Sequence, residues 1–507
     1  MSSSPRIELL FFLAVVACND SKVHPRPNPD TGLVDTDSGQ DSTPEGCGLG
    51  ILSEEDGRAL RLSATVDESD LGEAAYSFGY AVFSERSSEA ARLWVTTSYV
   101  WYADTHPSWE GAYLLDSSAW DGDGVLGSEA RPTLYGEDGV HAVMVATGLN
   151  LDSEVRRMGG FAVTTPSNYD DEYDGSYIWL AASPPTRATD LIAWSDAAIH
   201  AESGEGQTST FADLDGDGLD DVIVPGYPTR IFLSPMAGSV VDADADVALP
   251  AILSGGVAHF WPTSAAAADL DDDGYLDLVW KQAVGERDYH TQFDLFFKRG
   301  PIARDWDAPD ARIVDEVSAL PELSLGSSNT QYSTVRAVGD VSGDGRPDVT
   351  ASFSYDAGGR DGSGSLIVVE SLPEGAVALE DVPTRLVGIP GELADEPTRS
   401  NLGSGGSGDV NGDGMDDLVV FQAHTDLYDG DQRRVYIVPG PLIGLTLLEE
   451  TGAQIRLPLV AGATNHRNVA TVVPDLDGDG LDDVIVNVID GGDLPGVVWL
   501  FAGCEQW

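Results

Sequence analysis

Basic residues are what this chain most lacks. Among 507 residues, 27 are Lys or Arg against 85 Asp or Glu, and the lysines number three: Lys22, Lys281 and Lys298. A formal net charge of −58 repels phosphate backbones and anionic headgroups, which excludes a nucleic-acid partner and adsorption of the folded part to anionic membranes. Catalytic signatures are also missing. There is no His-Glu-x-x-His, no Gly-x-Ser-x-Gly and no phosphate-cradling Gly-Lys-Ser/Thr loop. The eight histidines are scattered, and with 85 acids, carboxylate pairs arise by chance; no catalytic residue is assigned. The apolar run Leu9–Ala17 is too short to span a bilayer. Nothing excludes a folded core, because 42% of residues are hydrophobic.

What the chain has instead is aspartate at fixed spacing. In the nonapeptide starting at Asp475, carboxylates stand at positions one, three, five and nine: Asp475, Asp477, Asp479 and Asp483. Alternate residues of a curled loop point at one centre, and oxygens so placed suit a hard cation with six or seven ligands. The main-chain carbonyl of Leu481, at position seven, completes the set, and glycine at position six permits the sharp turn. Carboxylates this close repel one another until a cation neutralises them. Ca²⁺ fits better than Mg²⁺, which demands a smaller octahedron and keeps its waters.

The loop occurs five times. Asp213, Asp215, Asp217 and Asp221 form one copy with the carbonyl of Leu219, and Asp269, Asp271, Asp273 and Asp277 form another with that of Tyr275. Asp409, Asn411, Asp413 and Asp417 use Met415, with Asn411 as a neutral donor. Asp340, Ser342, Asp344 and Asp348 use Arg346 and are the weakest set, because Ser342 is a short, poor ligand. The cofactor expectation is therefore Ca²⁺, up to five ions. An EF-hand needs twelve residues and a helix on each side. Here β-branched or Leu-rich runs such as Val222-Ile223-Val224 and Val484-Ile485-Val486 follow directly, so each loop feeds a strand.

The N-terminal region divides at residues 17 and 46. Residues 1–17 read as a secretory signal, and Val15-Val16-Ala17-Cys18 resembles a bacterial lipobox. That resemblance implies cleavage before Cys18, its lipidation, and export to a bacterial membrane, at the cell surface or the periplasmic face, with lipid as the only membrane contact. Residues 18–46 are rich in Asp, Pro, Ser, Thr and Gly and read as a disordered tether. Residues 47–507 are the folded part.

Within it, the first strand residues after the loops, Val222, Leu278, Val349, Leu418 and Val484, are 56, 71, 69 and 66 apart. Stepping back by the same period finds Phe161 and Leu93, spaced by 61 and 68, in two units without the Asp loop. Seven units of three or four strands, with no convincing helix, predict an all-β chain: a seven-bladed β-propeller of about four antiparallel strands per blade. The C-terminal unit lacks an outer strand, and Ala59–Ala64 looks like an unpaired one. If it completes the last blade, Cys47 and Cys504 come together. Export permits the disulfide, worth ~2–4 kcal/mol.

The pattern resembles the FG-GAP repeat of integrin alpha subunits, on Phe78-Gly79-Tyr80-Ala81-Val82 and on Gly408-Asp409-Val410-Asn411-Gly412-Asp413-Gly414. The resemblance implies a seven-bladed propeller with Ca²⁺ in these loops on one face and ligands on the other, over residues 57–503. It names no ligand.

Three further stretches carry weaker readings. Gly403, Gly405 and Gly408 fit a dinucleotide fingerprint but lead into an Asp cluster without a helix, so they read as a turn. Asp361-Gly362-Ser363-Gly364-Ser365 matches an adhesion-domain metal motif but reads as a hairpin loop. Trp101, Tyr102, His106 and Trp109 form either a ligand platform or the packing of their own hairpin. The functional expectation is an interaction module for a protein or glycan ligand. Alternatives are a propeller-based polysaccharide lyase or hydrolase, and a lectin.

Overall fold

The computed structural model describes residues 51–52, 56–62, 78–85, 92–97, 111–120, 125–126, 133–135, 144–149, 160–165, 176–181, 185, 187–201, 209–224, 229–235, 240–241, 244–249, 264–287, 290–304, 306, 308–314, 335–353, 364–388, 400–424, 433–451, 453–457, 467–489, 496–505 and 507. They form seven separate sheets. We number the blades in chain order from the first complete innermost strand.

Blade 1 holds Phe78–Glu85, Arg92–Thr97, Gly111–Asp116 and Leu134–Tyr135, and blade 2 holds Met144–Leu149, Gly160–Thr165, Ser176–Ala181 and Ala197–Ala201. Blade 3 holds Thr210–Ala212, Asp221–Val224, Arg230–Phe232 and Val247–Ala248. Blade 4 comprises Ser264–Ala268, Asp277–Arg287, His290–Lys298 and Ala311–Val314, and blade 5 comprises Val335–Val338, Asp348–Phe353, Ser365–Val369 and Thr384–Val387. Blade 6 comprises Ser400–Gly408, Asp417–His424, Arg433–Val438 and Ala453–Leu457. Blade 7 takes Arg467–Val473, Asp483–Ile489 and Val497–Phe501 from the end of the chain and Arg58–Leu62 from its beginning. That last strand lies antiparallel to the third, with Leu60 opposite Val498. The outer strand expected near residues 59–64 is thus in place. Among the described residues, helix is limited to the single turn Leu191–Trp194 and three short 3₁₀ segments, and no helix there is long and apolar enough to cross a membrane.

Strand alternation builds the core. Val222 and Val224 pack toward blade 2, while Ile223, between them, packs toward blade 4. Val484 and Val486 likewise face blade 6, and Ile485 faces blade 1. A run apolar on every residue is what a strand needs when both of its faces are covered. The result is seven apolar layers, one between each pair of neighbouring blades. The layer that joins blade 7 to blade 1, with Leu60, Ile485 and Val498 against Leu93, Val95 and Tyr113, closes the ring.

Among the described residues, a fifth, parallel strand overlaps six of the seven blades. Each comes from the connection leading to the next blade's outer strand: Thr189–Asp190 on blade 1, Val240–Val241 on blade 2, Ala376–Ala378 on blade 4 and Leu445–Leu447 on blade 5. Ile51–Leu52 plays this part on blade 6, and Val125–Leu126 on blade 7. The N-terminal segment therefore closes the ring twice, as the outer strand of blade 7 and as a strap on blade 6.

The glycine run 400–408 is a correction. It is the innermost strand of blade 6, not a turn, with a bulge between Ser404 and Gly406. A Cβ on Gly403 would lie 2.1 Å from the Phe421 ring, and one on Gly405 would lie 2.6 Å from the Ala470 carbonyl of blade 7. These glycines let backbone and ring approach where any side chain would intrude. Phe353 pairs with Ser365; residues 361–363 of the adhesion-motif match lie outside the described residues.

Candidate metal centre

All five Asp loops sit at the same place, between the first and second strands of blades 3 to 7. Their local geometry follows from short-range hydrogen bonds. In the blade 7 loop, Asp475 Oδ1 accepts from Gly478 N–H at 2.8 Å, Asp477 Oδ1 from Asp479 N–H at 3.3 Å, and Asp479 Oδ1 from Leu481 N–H at 2.9 Å. Such side-chain turns curl the backbone and aim the carboxylates inward. Gly478 and Gly480 both take positive φ, 87° and 96°. Position four is therefore as constrained as position six. In blade 4, position four is Asp272, at φ 60°, a conformation that Asp tolerates better than most residues.

Position two anchors the loop. Leu214, Leu270, Val341, Val410 and Leu476 are all buried in the layers between blades. Position nine stitches it to the blade. Asp483 Oδ2 accepts from Leu476 N–H at 2.7 Å, and its Oδ1 from Gly503 N–H, beyond the third strand, at 3.1 Å. Asp221 does the same with Leu214 and Ser234, Asp277 with Leu270 and Gly300, and Asp417 with Val410 and Gly440. In Asp221 and Asp277 each oxygen keeps a second lone pair for a cation, whereas Asp483 Oδ2 accepts a second bond from Asp477 N–H, and both oxygens of Asp417 accept a second bond from Asn411.

Burial raises the protonation of these position-nine carboxyls. Desolvation is the largest cause, opposed by their backbone hydrogen bonds; it pushes Asp221, Asp348, Asp417 and Asp483 up to about 7 and Asp277 to about 6. In an unfolded chain an aspartate titrates at about 3.9. Between roughly pH 4 and 7 the metal-free native state thus holds protons that the unfolded chain has released, and its stability falls as pH rises through that window. The net charge of −58 acts in the same direction. The melting temperature in EDTA is expected to fall from pH 5 to pH 8, and excess Ca²⁺ is expected to flatten the profile by taking the place of the protons. Thermal scans across that range with and without Ca²⁺ check it; a melting temperature that climbs with pH in EDTA contradicts it.

Neighbouring loops touch in a repeated way. The side chain at position seven packs on position four of the loop in the preceding blade: Tyr275 on Gly216, Met415 on Gly343, Leu481 on Gly412. Position eight contributes in blade 7, where Asp482 Oδ2 accepts from Asp409 N–H of blade 6 at 3.1 Å and Asp482 N–H donates to the Asp409 carbonyl at 3.1 Å. Asp416 is buried against Gly339 of blade 5 and is pushed up to about 6, chiefly by desolvation and then by Asp482. The sequence reading missed these position-eight acids; adjacent Asp-Asp pairs at the ends of three loops (220–221, 416–417 and 482–483) are their only local signal.

The donors suit a hard divalent ion. Acidic oxygens converge to within 4.8 Å of one another in three loops: Asp213, Asp215 and Asp221; Asp269, Asp271 and Asp273; Asp475, Asp477 and Asp479. Asp271 Oδ1 and Asp409 Oδ1 are buried without any hydrogen-bond partner, and so is Asp348 Oδ1 in the blade 5 loop; a bound cation would remove that cost. In the blade 6 loop, Asn411 Oδ1 accepts from Asp413 N–H at 2.9 Å and its amide donates to Asp417 Oδ1 at 3.1 Å, so the neutral residue holds the same curl. The blade 5 loop differs, because Arg346 binds its Asp344.

Other expected site residues fall partly outside the described residues. Trp101, Tyr102, His106 and Trp109 do so, as do Cys18 and Cys47. Cys504 is buried, and its N–H donates to the Val410 carbonyl in the blade 6 loop at 2.7 Å.

No family model matches this chain. No curated protein matches it either. Among solved structures it is similar to the C-terminal WD40 domain of Sif2, at 9% identity over 90% of this chain and 96% of that one, with a TM-score of 0.32. It is also similar to a β-fructofuranosidase from Schwanniomyces occidentalis solved with fructosyl-erythritol, at 8% identity over 90% and 94%, TM-score 0.29. A rhamnogalacturonan lyase from Bacillus licheniformis matches at 12% identity over 91% of each chain, TM-score 0.27. Likenesses at this level carry no argument about function.

Proposed function

We propose that this chain is an exported, calcium-stabilised β-propeller lipoprotein that presents a binding surface to a protein or glycan ligand. The observation that carries the calcium part is the recurrence of one curled acidic loop at the same point of five consecutive blades. Its similarity to the FG-GAP repeat of integrin alpha subunits supports the same reading. Ca²⁺ is structural in this proposal: it neutralises the carboxylates that start each second strand. Anchoring rests on the lipobox-like Val15–Cys18 and leaves the folded ring free of the bilayer at the end of the tether.

A Cys47–Cys504 disulfide belongs to the proposal. Ile51–Leu52 lies along Gln454–Ile455 of blade 6, and Cys504 hydrogen-bonds to the blade 6 loop, so both ends of the chain meet the same blade. The interaction reading is tested by assaying the Ca²⁺-loaded protein against a glycan array and a panel of acidic polysaccharides. Binding without product release is expected. Unsaturated or shortened oligosaccharides in the panel would replace this reading with that of a lyase or hydrolase.

A further inference from the structure

Four of the five loops are alike in charge, and the blade 5 loop is the exception. Counting Asp and Arg over each nonapeptide gives −5 for 213–221, 269–277 and 475–483, −4 for 409–417, and −2 for 340–348. The difference is made by Ser342 at position three, Pro347 at position eight and Arg346 at position seven.

Arg346 does two things there. Its Nε donates to Asp344 Oδ2 at 3.1 Å and Nη2 donates to the same oxygen at 2.5 Å, while Asp344 Oδ1 accepts from the Arg346 N–H at 2.9 Å. Both oxygens of the position-five carboxylate are thereby engaged. Its Nη1 donates to the Leu270 carbonyl, at position two of the blade 4 loop, at 3.1 Å. In the neighbouring pairs of blades, that position-two carbonyl accepts a main-chain N–H instead: Ile302 to Leu214, Leu442 to Val341, and Cys504 to Val410, all at 2.7 Å. Ile302 and Leu442 each lie four residues beyond the end of a third strand. The same count in blade 5, from Val369, reaches Pro373, which has no N–H to give. The guanidinium supplies the missing donor.

Other arginines near these loops do less. Arg299 reaches only Asp271 Oδ2, at 2.7 Å, from a side chain 58% exposed. Arg58 stands 3.8 Å from Asp477.

We propose that Arg346 is a built-in cation that takes the place of a metal ion in the blade 5 loop and fastens that loop to blade 4, so that the ring holds four Ca²⁺ ions and one arginine. The metal count rests on the calcium reading above; the fastening does not.

The test uses the full chain, loaded with Ca²⁺ and freed of excess by gel filtration. Elemental analysis is expected to find four ions per chain. Asp344→Asn is expected to leave the count unchanged, while Asp413→Asn, the same position in blade 6, lowers it by one. In hydrogen exchange, peptides over 340–348 should protect equally in Ca²⁺ and in EDTA, whereas those over 409–417 and 475–483 lose protection in EDTA. Arg346→Met is expected to lower the melting temperature in EDTA and to speed exchange at 340–348 whether or not Ca²⁺ is present. Five ions in the unmodified protein, or a Ca²⁺-dependent gain of protection at 340–348, overturns the substitution of arginine for metal. A protein that holds no Ca²⁺ removes the calcium reading alone; Arg346→Met in EDTA then decides the fastening, which an unchanged melt overturns. Should that variant fail to fold, the exchange of the unmodified protein in EDTA decides, with rapid exchange at 340–348 counting against the arginine.

Discussion

Excess EDTA is expected to lower the melting temperature of the Ca²⁺-loaded protein by about 6–11 °C relative to the protein in 10 mM Ca²⁺. Sites in extracellular modules bind at roughly 10⁻⁴–10⁻³ M, so 10 mM Ca²⁺ contributes about 1.4–2.7 kcal/mol per site by mass action. Four such sites contribute about 6–11 kcal/mol, and a cooperative unit of about 450 residues moves by about 1 °C per kcal/mol. The melting temperature should keep rising with Ca²⁺ concentration, as linkage requires, and Mg²⁺ should do much less because these loops offer too many oxygens for its small shell. Scanning calorimetry with EDTA, Mg²⁺ and a Ca²⁺ series is the measurement. Coincident melts in EDTA and in Ca²⁺ would remove the metal from the account of this fold.

Deleting residues 1–63 is expected to cost a similar amount. The deletion takes away Arg58–Leu62, the outer strand of blade 7, and Ile51–Leu52, the strap on blade 6. Leu60 is fully enclosed between blades 7 and 1, and Leu52 is buried in the layer between blades 6 and 7. Two buried leucines at about 2–3 kcal/mol each and the lost ladder bonds at about 1 kcal/mol each sum to roughly 8–10 kcal/mol, or about 10 °C. The third strand Val497–Phe501 would then present an open edge to other chains. The truncated protein should melt lower and self-associate on gel filtration, and a synthetic peptide of residues 47–64 added in trans should restore the monomer. A truncated chain that melts with the full-length protein would show that this strand is dispensable.

Much of this ring could be read from local patterns, for a physical reason. The Asp loops are short-range objects: spacing, charge and glycine all fall within nine residues, and the buried run that follows announces a strand covered on both faces. Counting those runs yields the five acidic blades, and the same period recovers the two others at Leu93 and Phe161, which lie in second strands. The unpaired stretch near Leu60 was legible because the last unit had no outer strand left.

What escaped is pairing between distant segments. Ile51–Leu52 meets Gln454–Ile455, and Leu445–Leu447 meets Arg385–Val387, in two- or three-residue parallel contacts that leave no periodicity in the sequence. The Gly-Ser run at 400–408 misled for a related cause. Strand preference reflects how side chains pack on a pleated surface, and here packing demanded their absence, beside Phe421 and Ala470. In the sequence Arg346 shows only as the bearer of a main-chain carbonyl, because its partner, Leu270, lies in another blade.

The pairing of Leu60 with Val498 also sets an order of events in folding. Nearly the whole ring separates the early strand from the segment it must join. Six blades can stack while it waits, and the seventh cannot be finished until the final residues arrive. Arg58 and Arg61 flank Ala59 and Leu60 in that waiting stretch, and charge of this kind discourages a lone strand from pairing with the wrong neighbour.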